Sequence, residues 1–307
     1  MLFSNGLAGL AYHFKLTAEV LRMELTFEFW YLLPIATVIA TIAMSSGIGG
    51  AVFFSPLFMI ALSLEPKIAI GAALATELAG FSSGLYAYLK ARLIDFQLAK
   101  KLLVFSIPAA LIGSLYADLI PAIVLKAIFA VGLVFIGTQL FSAWRKEERE
   151  KNENTTAKEF EENYQSELTD SQGNVYRYTI CNPNMGKSFA AIGGAFVGMI
   201  SVGLAELQEY HLVARCKVPT PVAIGTSIFV VVLTVLTASI GHFYEFYHQG
   251  NDVLAQVVNI IIFTIPGVII GGQLGPKLQR IVPEDKMKAA ISIAFLLIGI
   301  FMLYTLI

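Results

Sequence analysis

Charge is what this sequence has least of. Asp, Glu, Lys and Arg make up 14% of the 307 residues and hydrophobic residues 56%, where a soluble domain carries about a quarter charged. That excludes an ordinary soluble globular chain. The formal net charge of −1 selects no charged partner, and no nucleic-acid partner is expected. Cysteine is nearly absent. Cys181 and Cys216 make no disulfide framework and no metal-ligand spacing, so both are expected to be free thiols. Of the four histidines, His242 and His248 with Glu245 offer one local spacing, at a helix end where an interfacial role is expected. No zinc motif and no nucleophile constellation occurs. Lys187-Ser188 lacks the upstream glycine loop of a phosphate-binding site. The sequence therefore predicts no metal, no cofactor, no nucleotide-driven pump and no enzyme. The N-terminal segment, 1–29, lacks a basic–apolar–small pattern and reads as an interfacial helix, not a cleaved signal peptide.

What the chain has is apolar length. Mean hydropathy is +0.71, and eight long runs stand out at 31–64, 68–89, 102–117, 122–143, 189–213, 222–247, 253–275 and 289–307. A hydrocarbon core takes about 20 residues per helical span. The expected class is an all-α polytopic membrane protein, with the lipid bilayer as a partner. The first run is interrupted by Met44-Ser-Ser-Gly-Ile-Gly-Gly-Ala-Val-Phe-Phe-Ser-Pro56. Irregular backbone at membrane depth is tolerated where it is buried in protein or lines a cavity, so the interruption points to a site.

The runs also repeat. Pro66-Lys-Ile-Ala-Ile-Gly71 matches Thr220-Pro-Val-Ala-Ile-Gly225, and at the same offset Ile48-Gly49-Gly50-Ala51 falls on Val202-Gly203-Leu204-Ala205. Further on, Ile107-Pro108 and Ile112-Gly113 match Ile265-Pro266 and Ile270-Gly271. The expected organisation is a membrane repeat at 30–143, a loop at 144–187 and a second repeat at 188–307. Within the loop, alternation around Gly173-Asn174 suggests a short hairpin.

Basic residues suggest the orientation. If every run crosses, the second half breaks the positive-inside rule. If the first run of each half re-enters and returns, each half crosses three times and the halves are inverted. One face then holds Lys15, Arg22, Lys67 and Lys126, and the other holds the remaining 17 of the 21 basic residues. The expectation is two inverted repeats, each a broken or re-entrant helix unit plus three transmembrane helices, with the 144–187 loop cytoplasmic in a cell membrane. The alternative is four plus four full spans in parallel orientation.

The ordered motifs resemble the TauE/SafE family of sulfite exporters, membrane anion permeases. The resemblance rests on Ser46-Gly-Ile-Gly-Gly50 with Pro56, on Pro219-Thr-Pro-Val-Ala-Ile-Gly-Thr-Ser227 with its weaker copy Pro66-Lys-Ile-Ala-Ile-Gly-Ala-Ala73, and on the repeated Ile-Pro…Ile-Gly segment. The departures are Ala72-Ala73 in place of Thr-Ser, the thinned cluster Gly203-Leu204-Ala205, and Tyr210 where the first half has Pro56. The resemblance implies a small anionic substrate, sulfite or an organosulfonate, moved by a secondary transporter.

Candidate site residues follow from the breaks. A helix start offers unsatisfied N–H groups and a positive dipole end to an anion. Around Gly47, Gly49 and Gly50, hydroxyls come from Ser45, Ser46 and Ser55. Their second-half counterparts are Ser201, Gly203, Thr226 and Ser227. The same small residues also serve close helix packing, the expected role of Gly113 and Gly271. Glu77, Glu206 and Glu209 lie within apolar runs, where carboxylates are costly and functional by default, and are the candidates for proton coupling. A cation- or proton-coupled carrier using these glutamates is the alternative function.

Overall fold

A computed structural model describes residues 27–46, 51–117, 119–152, 166–282 and 284–306. Most of the segment expected to be interfacial, residues 1–26, therefore lies outside the described residues, as do Gly47, Gly49 and Gly50. Among the described residues ten α-helices form: α1 (Leu32–Ser46), α2 (Ala51–Ala61), α3 (Pro66–Ala91), α4 (Phe96–Ala117), α5 (Ala122–Asn152), α6 (Pro183–Ile200), α7 (Leu204–Glu209), α8 (Thr220–Gln249), α9 (Asn251–Ile281) and α10 (Glu284–Tyr304). A π-helix, Tyr210–Arg215, continues α7. Five helices are long and apolar enough to cross a membrane: Pro66–Ala91, Phe96–Ala117, Ala122–Ser142, Thr220–His248 and Asp252–Gly275. Apolar side chains such as Val104 on α4, Phe135 on α5 and Leu297 on α10 face outward, as lipid-facing surfaces require. The chain is a multi-pass helical membrane protein.

Local chemistry sets the helix ends. Pro66 opens α3, where its missing N–H costs nothing, and Arg92 closes it in the left-handed region at φ 57°. Asp95 starts α4, its Oδ1 accepting from the N–H groups of Gln97 and Leu98, both at 2.9 Å. Asn182 caps α6 by accepting from the Met185 N–H at 3.4 Å.

Helix pairing follows small residues. On α6, Gly194 and Gly198 lie against the backbone of Ser106 and Ala110 in α4. On α9, Gly267 and Gly271 lie against α1, where added Cβ atoms would stand 2.6 Å from the Leu33 carbonyl oxygen and 2.5 Å from that of Thr37. In both pairs the partners advance together along the chain, so the helices run parallel. By contrast, α3 and α8 run antiparallel. Gly71, near the start of α3, receives Phe246 from the end of α8, and Gly225, near the start of α8, sits against Tyr88 at the end of α3. α5 and α10 are also antiparallel, with Gly137 against Leu296 and Gly299 against Val134. Gly113 likewise meets the Ala195 carbonyl. The glycines expected to serve packing, Gly113 and Gly271, stand at such contacts.

The segment 189–213 is not one continuous helix. α6 stops at Ile200, and the chain turns through Ser201 (φ 61°) and Gly203 (φ 116°). It then returns alongside itself. Gly193 lies against Leu204, Phe189 stacks edge-on to Tyr210 at 6.2 Å, and Gly186 lies against His211. These pairs step evenly toward the ends, where a disulfide joins Cys181 to Cys216 with their Cα atoms 5.1 Å apart. The two cysteines are thus not free thiols. Their separation of 35 residues carries no sequence signal, because what brings them together is the fold-back of the hairpin between them.

Outside the helices, β1 (Ser166–Thr169) and β2 (Val175–Tyr178) pair antiparallel, Ser166 opposite Tyr178 and Thr169 opposite Val175. Asp170 holds the turn, its Oδ1 accepting from the N–H groups of Gln172 at 2.8 Å and Asn174 at 2.9 Å. The Asn174 side-chain contact keeps the Asp170 carboxyl below its ordinary range. Two strands alone are marginal, and this hairpin docks on the α3–α4 turn. The Ser171 N–H donates to the Ala91 carbonyl at 2.9 Å. The buried Tyr178 hydroxyl donates to Asp95 Oδ2 at 2.8 Å. Burial and the Asp95 carboxylate push that hydroxyl well above the usual phenol range. Tyr178→Phe leaves one Asp95 oxygen short of a donor and should lower stability by about 1.5–3 kcal/mol, measured by denaturant titration in detergent micelles.

Candidate functional site

The helix that follows the first glycine cluster meets the break between α6 and α7. Ser55, in the first turns of α2, and Ser201, in the break between α6 and α7, are both fully buried and share a hydrogen bond of 2.6 Å between their Oγ atoms. The contact spans 146 residues of chain, so tertiary packing of the halves creates it. Ser45 and Ser46 are the last residues of α1. Two further hydroxyl pairs tie the flanking helices: Thr76 to Thr264 at 2.8 Å between α3 and α9, and Ser106 to Thr234 at 2.8 Å between α4 and α8.

Gly203 carries the geometry of the second break. Its φ of 116° lies where a side chain is strained. Its N–H donates to Glu206 Oε2 at 3.1 Å, so the glutamate folds back over the turn that precedes it. Glu206 Oε1 is buried and has no hydrogen-bond partner among the described residues, and the same holds for both side-chain polar atoms of Gln208. Buried polar atoms are normally paired, so the short helix α7 carries an unusual concentration of hydrogen-bonding capacity that the described residues do not meet.

Glu206 and Glu209, three residues apart, both line a groove of about 810 Å³ between α5 and the α6–α7 hairpin. Its walls are otherwise mostly apolar, including Val131, Phe135, Phe189 and Phe196. Glu209 also borders a second cavity of about 20 Å³, together with Ser227 and Phe81, room for about one water. Ser227 Oγ is buried there and lacks a partner among the described residues. Thr226 points elsewhere: its Oγ1 accepts from the Asp95 N–H at 3.0 Å, tying α8 to the α3–α4 turn. Glu77 is buried in α3 beside Thr76 and lines neither cavity. Thus Ser201, Gly203, Glu206 and Glu209 share one element and Ser227 faces it, while Thr226 is turned to the α3–α4 turn.

His242 was expected at an interface and is instead buried, 3% exposed. Its Nε2 lies 2.9 Å from the Gly198 carbonyl oxygen. Gly198 is in the last turn of α6, where carbonyls lack intrahelical partners, so His242 reaches across from α8 to satisfy one. The site residues that sequence reasoning missed are His242 in this role, Gln208 and Asp95. His242 and Gln208 interrupt apolar runs, which was a usable signal. Asp95 shows no signal beyond its capping position.

Comparison with known proteins agrees with this architecture. The family model described as "Sulfite exporter TauE/SafE" matches residues 32–302. "Probable membrane transporter protein YunE" of Bacillus subtilis (strain 168) is 22% identical over 284 residues, covering 90% of this chain and 98% of the relative. "Probable membrane transporter protein YjnA" of the same organism is 24% identical over 238 residues, covering 76% of this chain and 84% of the relative. No solved structure matches. With the match running through every described helix, the chain belongs to the sulfite exporter TauE/SafE family.

Proposed function

We propose that this protein is a secondary transporter of small anions, sulfur oxyanions or organosulfonates, built from two inverted repeats that meet at their broken helices. The observation that carries the reading is the Ser55–Ser201 hydrogen bond, which joins α2 to the break between α6 and α7. Discontinuous helices meeting at a repeat interface form substrate sites in transporters. Uncharged hydroxyls and backbone N–H groups there suit an anion without a permanent cation. The family name supports a sulfur oxyanion.

Inversion is supported by helix direction. Counterpart helices of the two halves, α3 with α8 and α5 with α10, run antiparallel, as an axis in the membrane plane requires. The α1–α9 and α6–α4 pairs are the two copies of one contact. On this topology, the β-hairpin, the Cys181–Cys216 end of the re-entrant unit and 17 of the 21 basic residues share a face, which the positive-inside rule makes cytoplasmic. Glu206 is the residue proposed to carry a coupling proton, because its buried Oε1 has no hydrogen-bond partner among the described residues.

Purified protein in proteoliposomes tests the reading. Sulfite or taurine uptake should exceed that of empty vesicles. Ser201→Ala should cut uptake by about tenfold, the equivalent of 1.4 kcal/mol of lost interaction, with folding unchanged. Cation-dependent currents that vanish in Glu206→Gln, without anion flux, would favour the carrier that uses the glutamates as cation ligands.

A further inference from the structure

We infer that Cys181 and Cys216 form a thiol–disulfide switch that clamps or frees the re-entrant hairpin. The disulfide closes the two ends of one functional element. Between the cysteines lie α6, the break at Ser201–Gly203, α7 with Glu206 and Glu209, and the π-helix. Cys216 directly follows the π-helix, and its N–H donates to the His211 carbonyl at 2.9 Å. A single π turn inside a helix is a recurrent feature of functional sites. The disulfide anchors the C-terminal end of this one to the segment just before α6.

The placement of the bond makes it a switch. This inference rests on the cytoplasmic assignment of that face proposed above. In reducing compartments, disulfides are transient and redox-sensing in most cases. Both cysteines are half-buried, so a small thiol reaches them. The exposed side chains of Arg215 and Lys217 flank Cys216 in the chain, and cations there stabilise the thiolate that takes part in exchange. His211 Nε2 lies 3.7 Å from Cys216 Sγ, positioned to exchange a proton with the released thiol. The chemistry balances with a small monothiol as reductant. Its thiolate attacks one sulfur and displaces the other as a thiolate, which takes up a proton. A second thiol resolves the mixed disulfide. Two electrons pass to the cysteine pair, and the reductant leaves as its own disulfide. Opening the bond removes the covalent tie between hairpin ends, leaving side-chain packing such as Phe189 on Tyr210 to hold the π-helix and the glutamates above it.

The test needs no background removal, since the chain has two cysteines. Full-length protein in proteoliposomes is equilibrated with glutathione at a series of reduced-to-oxidised ratios. It is then quenched, and a polyethylene-glycol maleimide reads the redox state on gels. Sulfite flux and hydrogen exchange of 204–215 are measured in parallel. The disulfide should open across the series. Exchange of 204–215 should accelerate several-fold with it, and flux should change several-fold in step. The Cys181→Ser/Cys216→Ser double variant should hold the reduced-state values at every ratio. Sidedness is read in cells with Gln172→Cys in that double-serine background, which should react with a membrane-impermeant maleimide only after permeabilisation. Labelling of intact cells would overturn the topology and the switch together. Labelling after permeabilisation, with a bond that stays closed across the series, would overturn the switch alone. A bond that opens without changing exchange overturns it too. If no sulfite flux is seen in any state, the exchange readout decides: acceleration supports the switch even though the substrate reading has failed.

Discussion

Gly198→Leu should yield no folded protein. A Cβ at this position would overlap the Ala110 carbonyl oxygen and stand 2.8 Å from Ser114 N. Both obstacles are backbone of α4, so no side chain can rotate away. Gly194, one turn earlier, meets Ser106 in the same manner. The pair forms the small-xxx-small contact that lets two helices approach in lipid, where no hydrophobic force drives them together. Overpacking a core costs about 1–3 kcal/mol when side chains yield, and the cost here should exceed that range. Gly198 also lends its carbonyl to His242, so a shift of α6 breaks a buried hydrogen bond as well. Size-exclusion chromatography in detergent should show the monodisperse peak replaced by aggregate. Gly84→Ala is the control. A Cβ there meets nothing within 4 Å, and replacing a mid-helix glycine should raise stability by about 0.4–1 kcal/mol.

Glu206→Gln should abolish uptake driven by a proton gradient while leaving the protein folded. The carboxylate oxygen Oε2 accepts from the Gly203 N–H at 3.1 Å, and this contact holds a backbone conformation that side-chain-bearing residues rarely adopt. Glutamine keeps a carbonyl oxygen in that place, so the break persists. What glutamine loses is the capacity to take up and release a proton in the membrane interior, where an ionisable group is costly to retain. Uptake driven by a pH step should fall to the level of empty vesicles, while substrate exchange without a gradient continues. Glu209→Gln, three residues on and in reach of both cavities, should reduce uptake less. Equal loss of exchange and gradient-driven uptake in Glu206→Gln would place the residue in substrate binding, and unchanged uptake would remove it from transport altogether.

Much of this molecule is legible in its sequence because a bilayer imposes strict composition. Charge scarcity and run lengths suffice for a multi-pass helical protein, since a span needs about 20 apolar residues. The chain turns at Ser201–Gly203, between α6 and α7, where the sequence match to the first glycine cluster places an interruption. The recurring Ala-Ile-Gly motif places Gly71 against Phe246 and Gly225 against Tyr88, where a side chain would meet an aromatic ring.

Other features arise only when distant segments are packed. Ser55 and Ser201 are ordinary serines until the halves bring their hydroxyls within 2.6 Å. His242 reads as a helix-end residue, and it becomes the partner of an open carbonyl because α6 stops beside α8. Thr226 and Ser227 are adjacent in the motif, yet helical rotation sends one to Asp95 and the other into a cavity. Cys181 and Cys216 show no pairing signal, and the hairpin between them joins their ends. The sequence by itself determined that the chain is helical and membrane-embedded, since hydrophobicity is a property of residues in their local order. Only the tertiary structure decided which polar groups meet, because hydrogen bonds and disulfides depend on distances set by packing that local order does not contain.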